Sequence, residues 1–217
     1  MPAGTAARPG RGGETRELIL STAERLFAEH GIAAVSNRQV SEAAGQGNHY
    51  AVGYHFGTRA DLVREIVRRR GTAMEQLRTR MLDGITDAAD LRAWVSCLVR
   101  PATDHLASLP APTWYARFVA QADTEPGLRR IVVDEATATP SMTRALEGLF
   151  RLLPDMPENV RQERADMCRV LVVHMLAERE RALQEETADP GDVWEATARG
   201  LIDALVGLIL APVMTVR

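Results

Sequence analysis

The stretch that most restricts the fold is residues 31–62, GIAAVSNRQVSEAAGQGNHYAVGYHFGTRADL, because its stops and caps fall every few residues. Gly31 supplies the left-handed stop of a preceding helix. Ser36 and Gln39 spell a capping box (S-x-x-Q) that opens a short helix through Val40, Ala43 and Ala44, and Gly45 closes it. Gln46-Gly47-Asn48 is a turn, with Asn48 placed to cap a third short helix running to about His55. Gly57 breaks that helix. Thr58 and Asp61 cap a fourth, whose periodic apolar residues Leu62, Ile66, Ala73, Leu77 and Met81 predict a helix to about Asp83. Upstream, Leu18, Ile19, Ala23, Leu26 and Phe27 recur at helical spacing from Thr15 to His30.

An amphipathic helix bracing two short helices around a tight turn is a helix-turn-helix, a unit that places its second helix in the major groove of DNA. Such a helix needs short or polar side chains at its start, and Gln46, Asn48, His49 and Tyr50 stand there. Asparagine and glutamine pair bidentately with adenine, while tyrosine and histidine suit base edges, methyl groups or phosphate. Ala51 and Val52 suit inward packing, and Gly53 permits close backbone approach. Ser36, Arg38, Tyr54, His55, Thr58 and Arg59 form a rim of phosphate-binding groups. Phe56 reads as core. The net charge of the chain is only −3, so bulk attraction to nucleic acid is excluded and contact falls to a few placed side chains. All the strong positive charge is arginine, whose planar fork suits phosphate and guanine.

The remainder reads as helices alone, over about 88–107, 111–123, 126–153 with Pro140 as a kink or break, 158–186 and 191–211. The expected class is all-α: a flexible arm over 1–13, a three-helix DNA-binding domain over 14–60, and a larger helical ligand-binding and dimerisation domain over 61–217. Arg8 and Arg11 in the arm are within reach of a groove, although a plain disordered terminus reads as well. The last helix, with Val193, Trp194, Ala198, Leu201, Ile202, Leu205, Leu208 and Ile209, is too apolar for a lone surface helix. Pairing of the two closing helices with those of a second copy would bury that excess in a four-helix bundle. Two heads one helical turn of DNA apart then imply a palindromic operator. Trp94, Cys97, Trp114, Tyr115, Phe118 and Met142, with Met167 and His174, are the lining expected of an apolar small-molecule pocket, and each reads also as ordinary core. His174 lies on an apolar stretch and reads equally as a core histidine or a polar anchor.

Catalysis finds no support. There is no paired E-x-x-H, H-E-x-x-H, G-x-S-x-G, P-loop or G-x-G-x-x-G, and no cofactor or metal is expected. Cys97 and Cys168 are far apart and outside any ligand cluster, as expected of free thiols in a reducing compartment. The N-terminus lacks a signal-peptide core and Leu205–Val216 is too short to span a bilayer, so a cytoplasmic protein with no membrane partner is expected. The competing class is a helical protein-protein adaptor, which accounts for the apolar last helix but leaves the capped short helices at 36–55 without a purpose.

These residues resemble the TetR family of transcriptional regulators. The matching pieces are Ala28-Glu29-His30-Gly31, then Val35-Ser36-Asn37-Arg38-Gln39-Val40-Ser41-Glu42-Ala43-Ala44-Gly45. The tail Tyr54-His55-Phe56-Gly57-Thr58-Arg59-Ala60-Asp61-Leu62 is similar to that family's Y-x-F-x-[ST]-[KR]-x-x-L segment. The resemblance implies a homodimeric regulator, by analogy a repressor, released from its operator by a small apolar or amphipathic effector. It implies phosphate contacts from Ser36, Tyr54 and Arg59 and base contacts from Asn48, His49 and Tyr50. Eight residues separate Gly45 from Tyr54 where many members have seven, and the turn is expected to absorb the extra one.

Overall fold

The computed structural model describes residues 11–185 and 189–213, and every regular element within them is an α-helix. In chain order these are α1 (Arg11–His30), α2 (Asn37–Ala43), α3 (Ala51–Phe56), α4 (Arg59–Asp83), α5 (Leu91–Ser108), α6 (Tyr115–Asp123), α7 (Pro126–Thr137), α8 (Pro140–Phe150), α9 (Glu158–Glu185) and α10 (Pro190–Leu210). Arg8 lies outside the described residues. Residues 11–13 of the predicted arm are the first turn of α1 instead; glycines are poor helix formers, but Glu14 in that turn complements the positive helix end.

The two capping boxes form as the sequence spells them. The Ser36 hydroxyl accepts the Gln39 N–H while the Gln39 side chain accepts the Ser36 N–H, and Thr58 and Asp61 do the same for α4. Gly31 stands at φ +86°, a left-handed conformation that a side chain rarely adopts. At Pro140 the break, not the kink, is what forms, and the start of α6 moves. Pro140 separates α7 from α8 outright, because Thr139 caps the new helix and proline suits its first position. The helix predicted from 111 starts at Tyr115, since Pro110 and Pro112 cannot serve a helix interior.

Ile19, Ala23 and Phe27 of α1, Val40 of α2, Val52 of α3 and Leu62 and Ile66 of α4 are fully buried together. Each of the larger ones contributes about 1.5–3 kcal/mol by leaving water. This small core fixes α2 and α3 against α1. Beyond it, α4 runs on into the larger half, where it packs on α5, α7 and α8; α6 lies between α1 and α9, and α10 packs on α5 and α9. The apolar side of α10 is largely used inside the chain: Trp194, Ala198, Leu201, Ile202, Leu205 and Ile209 are buried there. Its outward side is Gly200, Ala204, Gly207 and Leu210. On α4 the predicted stripe is shifted, with Leu77 and Met81 only half-buried and Arg78 buried.

Candidate functional site

The head presents α3 and the turn before it. α3 begins at Ala51, not Asn48, and Tyr50 stands at its N-cap position. The reason is local: the Asn48 side-chain oxygen accepts the Tyr50 N–H at 2.9 Å, which bends the chain into one more turn before helix can start. Gln46 folds back, donating from Nε2 to the Ala44 carbonyl at 2.9 Å, and is half-buried. Asn48, His49 and Tyr50 stay exposed. Tyr50 and Tyr54 are 81% and 83% exposed, one helical turn apart, an arrangement that costs an unliganded protein apolar surface in water.

Other candidates already have partners. Arg38 Nε donates to Glu42 at 2.8 Å, and this hydrogen bond raises the arginine pKa and lowers that of the carboxylate. His49 Nδ1 lies 3.4 Å from the same carboxylate. Arg59 Nη1 donates to the Ile32 carbonyl at 2.9 Å, tying α4 to the loop between α1 and α2. The phosphate role expected of it competes with this bracing one. The hydroxyls of Ser36 and Thr58 are engaged in their capping boxes. His55 is half-buried with its ring edge-on to Tyr54 at 5.1 Å, and Phe56 is buried beneath the Arg16 guanidinium. Ser41 has a role unread in the sequence: fully buried, it accepts the Val52 N–H at 3.3 Å and so bolts α2 to α3. A lone serine within V-S-E-A-A was the available signal.

The second site is a cavity of about 1280 Å³ bounded by α4 to α10. Its wall is mainly aliphatic, with Val95 and Leu98 of α5, Val119 of α6, Leu146 of α8 and Leu205 of α10 among the lining. Of the eight predicted contacts, Tyr115 and Met142 line it. The other six are displaced by packing. Trp94 is buried against Gly148 and donates from Nε1 to the Ala88 carbonyl. The Cys97 thiol is buried in the core, which raises its pKa. Phe118 is fully buried, its ring 6.2 Å from that of Phe27 on α1. Trp114 borders a separate polar cleft of about 640 Å³ and carries the Arg117 guanidinium over its ring. Met167 is 45% exposed on the outer face of α9. The His174 side chain is half-exposed, its Nε2 3.9 Å from Asp123, and is neither core nor cavity anchor.

Residues 19–66 match the family described as bacterial regulatory proteins, tetR family, and residues 96–207 match the tetracyclin repressor-like C-terminal domain. The chain belongs to the TetR family. Its fold is that of solved TetR-type regulators. NalD, the secondary repressor of the MexAB-OprM multidrug efflux pump in Pseudomonas aeruginosa, is 24% identical, with 91% of this chain and 96% of that one aligned at a TM-score of 0.57. SmeT, repressor of the Stenotrophomonas maltophilia efflux pump SmeDEF, is 19% identical over 87% of this chain and 89% of its own, at 0.53. A protein of Saccharomonospora viridis in complex with choline is 19% identical over 89% and 96%, also at 0.53. No curated protein sequence matches the chain. Among the described residues no cluster of potential metal ligands occurs, and no helix is long and apolar enough to cross a membrane.

Proposed function

We propose that this TetR-family protein is a homodimeric repressor that binds a palindromic operator and leaves it when a small apolar or amphipathic molecule fills the cavity. In this reading residues 14–60 form the reading head and 61–217 the sensing and pairing domain, with α4 crossing between them. The observation that carries it is the course of α4. One continuous helix is fixed to the head through Leu62 and Ile66 and lines the cavity with Val67, Met74 and Arg78. A ligand that fits the cavity better in one setting of α4 shifts the spacing of the heads, and such linkage is typically worth about 1–3 kcal/mol.

On the DNA side, Asn48, His49 and Tyr50 supply base and methyl contacts, with Ser36, Arg38, Tyr54, His55 and Thr58 at the backbone. Gln46, engaged internally, acts by shaping the turn, and Arg59 by bracing α4 against the loop between α1 and α2. The pairing surface is the outer face of α9 and α10. The test is selection of random DNA by the purified protein, followed by mobility shifts at two salt concentrations. An enriched palindrome bound two chains at a time is expected, and each Arg–phosphate contact should contribute about 0.9 to the log–log salt slope. Asn48→Ala should cost about 1–3 kcal/mol and relax preference at one operator position. Absence of any enriched sequence would overturn the reading.

A further inference from the structure

The wall of the proposed effector cavity carries a buried arginine. Arg78 lines it from α4 and is only 6% exposed. Pro101 of α5 has no N–H to give the carbonyl four residues before it, that of Cys97, so this oxygen is free for another donor. Arg78 Nε takes it at 3.0 Å, and Nη1 donates to the Ser141 hydroxyl of α8 at 3.2 Å. That hydroxyl in turn donates to Glu75, whose other carboxylate oxygen accepts the Ser141 N–H at 2.9 Å. Glu75 is thus held on the α8 side, and its nearest approach to Arg78 is 3.6 Å, at Nη1. These bonds occupy Arg78 Nε and Nη1; Nη2 makes none among the described residues and, unlike Nη2 of Arg117, is not sealed from solvent. A guanidinium nitrogen left over beside an apolar cavity is a ready donor, and an ionised acceptor makes the strongest bond to it.

The surrounding charge points the same way. Seven arginines and five carboxylates line the cavity, a positive excess within a chain of net charge −3. The rest of the wall is mainly apolar. We infer that the effector is an amphipathic carboxylic acid, its carboxylate accepting from Arg78 Nη2 and its hydrocarbon body lying along Val95, Leu98, Val119 and Leu146. This rests on the cavity being the effector site and adds the head group it reads. Arg78 is then the specificity-determining residue, and it belongs to the helix that carries the DNA-binding head. A carboxylate bound there would pull on the Arg78 links to α5 and α8, the contacts that set the lower end of α4.

The test compares three probes sharing one alkyl chain, titrated below their micelle concentrations into the full-length protein by calorimetry: dodecanoate, dodecanol and dodecyltrimethylammonium. Dodecanoate should bind roughly tenfold or more tighter than dodecanol, the ratio of one charge-assisted hydrogen bond, and the ammonium weakest. In Arg78→Gln the advantage of dodecanoate over dodecanol should vanish while dodecanol binding holds. Arg78→Lys, which keeps the charge but has no second terminal nitrogen, should lose most of it too; should the Gln variant fail to fold, Lys and the wild-type ranking still decide. Equal binding of dodecanoate and dodecanol, or preference for the ammonium, overturns the inference and leaves the apolar cavity standing. An acid preference that survives in both variants overturns the assignment to Arg78. If none of the three binds, the inference fails and the cavity reading fails with it.

Discussion

At Gly148 a side chain is excluded by geometry alone: a Cβ placed there would lie 2.2 Å from the Trp94 ring, which is itself buried and pinned through Nε1. Neither helix has slack, so Gly148→Ala should destabilise the protein by about 1–3 kcal/mol through overpacking. Thermal unfolding should show a fall of roughly 2–4 °C per kcal/mol; an unchanged midpoint would mean that α5 and α8 part more easily than their packing implies. His105 makes a different demand. It is buried, its Nε2 has no partner among the described residues, and burial, with Arg70 and Arg69 nearby and only Glu24 opposing, holds its pKa below 6.5. As pH falls through 6.5 the unfolded chain takes up this proton while the folded chain resists, so stability drops with acidification. His105→Gln should flatten that acid limb in urea titrations run from pH 6.5 downward, and an undiminished slope would clear His105 of responsibility. Neither residue announces itself in the sequence. Gly148 sits in a helix like any tolerated glycine, and His105 lies within an ordinary T-D-H-L stretch; both acquire meaning only from what the fold sets against them.

Elements bounded by local chemistry were legible, and those bounded by distant contacts were not. The capping boxes at Ser36 and Thr58 and the glycine stops at 31, 45 and 57 work within four residues, so the spacing alone places α2 and the start of α4. The start of α3 slipped because an asparagine serves equally as helix cap or turn former, and Asn48 turns. The cavity lining was misplaced for a tertiary reason: aromatic size marks a residue for burial without saying where, and Trp94 and Phe118 went to helix–helix seams while aliphatic residues were left to face the void. One seam depends on an element boundary that no local pattern reveals. Glu180 of α9 has a fully buried carboxylate that accepts the N–H groups of Ala116 and Arg117 at 3.2 and 2.8 Å, serving as a cap for α6 from another helix. Burial raises its pKa, with those two amides and the nearby Arg117 working the other way. Glu180→Ala should cost about 1–3 kcal/mol for each buried donor left without a partner. Hydrogen exchange should locate the effect as faster exchange at the first turn of α6; loss of stability with no change there would refute the capping role.

For the whole molecule the question is what covers the outer face of α9 and α10. On α9, Met167 and Val170 are 45% and 42% exposed, and His174 follows one turn later. On α10 a Cβ added at Gly200 or Gly207 would meet nothing within 4 Å, and Leu210 is 53% exposed. Because α10 already buries its large residues inside the chain, the outward surface is shallow and mixed, and a partner helix could approach it closely over the glycines. A second copy related by a two-fold axis presents the same shallow face in return. Met167→Glu, which puts like charges across that axis, should convert the proposed dimer to a monomer by sedimentation velocity without altering the circular dichroism spectrum, since Met167 is half-exposed on its own chain. The consequence for DNA is steeper than the loss of one contact. With the heads no longer tethered, each half-site must be bound independently, and the effective-concentration advantage of the second head, commonly 10²–10⁴-fold, disappears. The variant should therefore retain the shallow salt-dependent affinity of a single head and lose the preference for paired half-sites over one. A variant that sediments as a dimer and still selects the palindrome would move the pairing surface elsewhere on the chain.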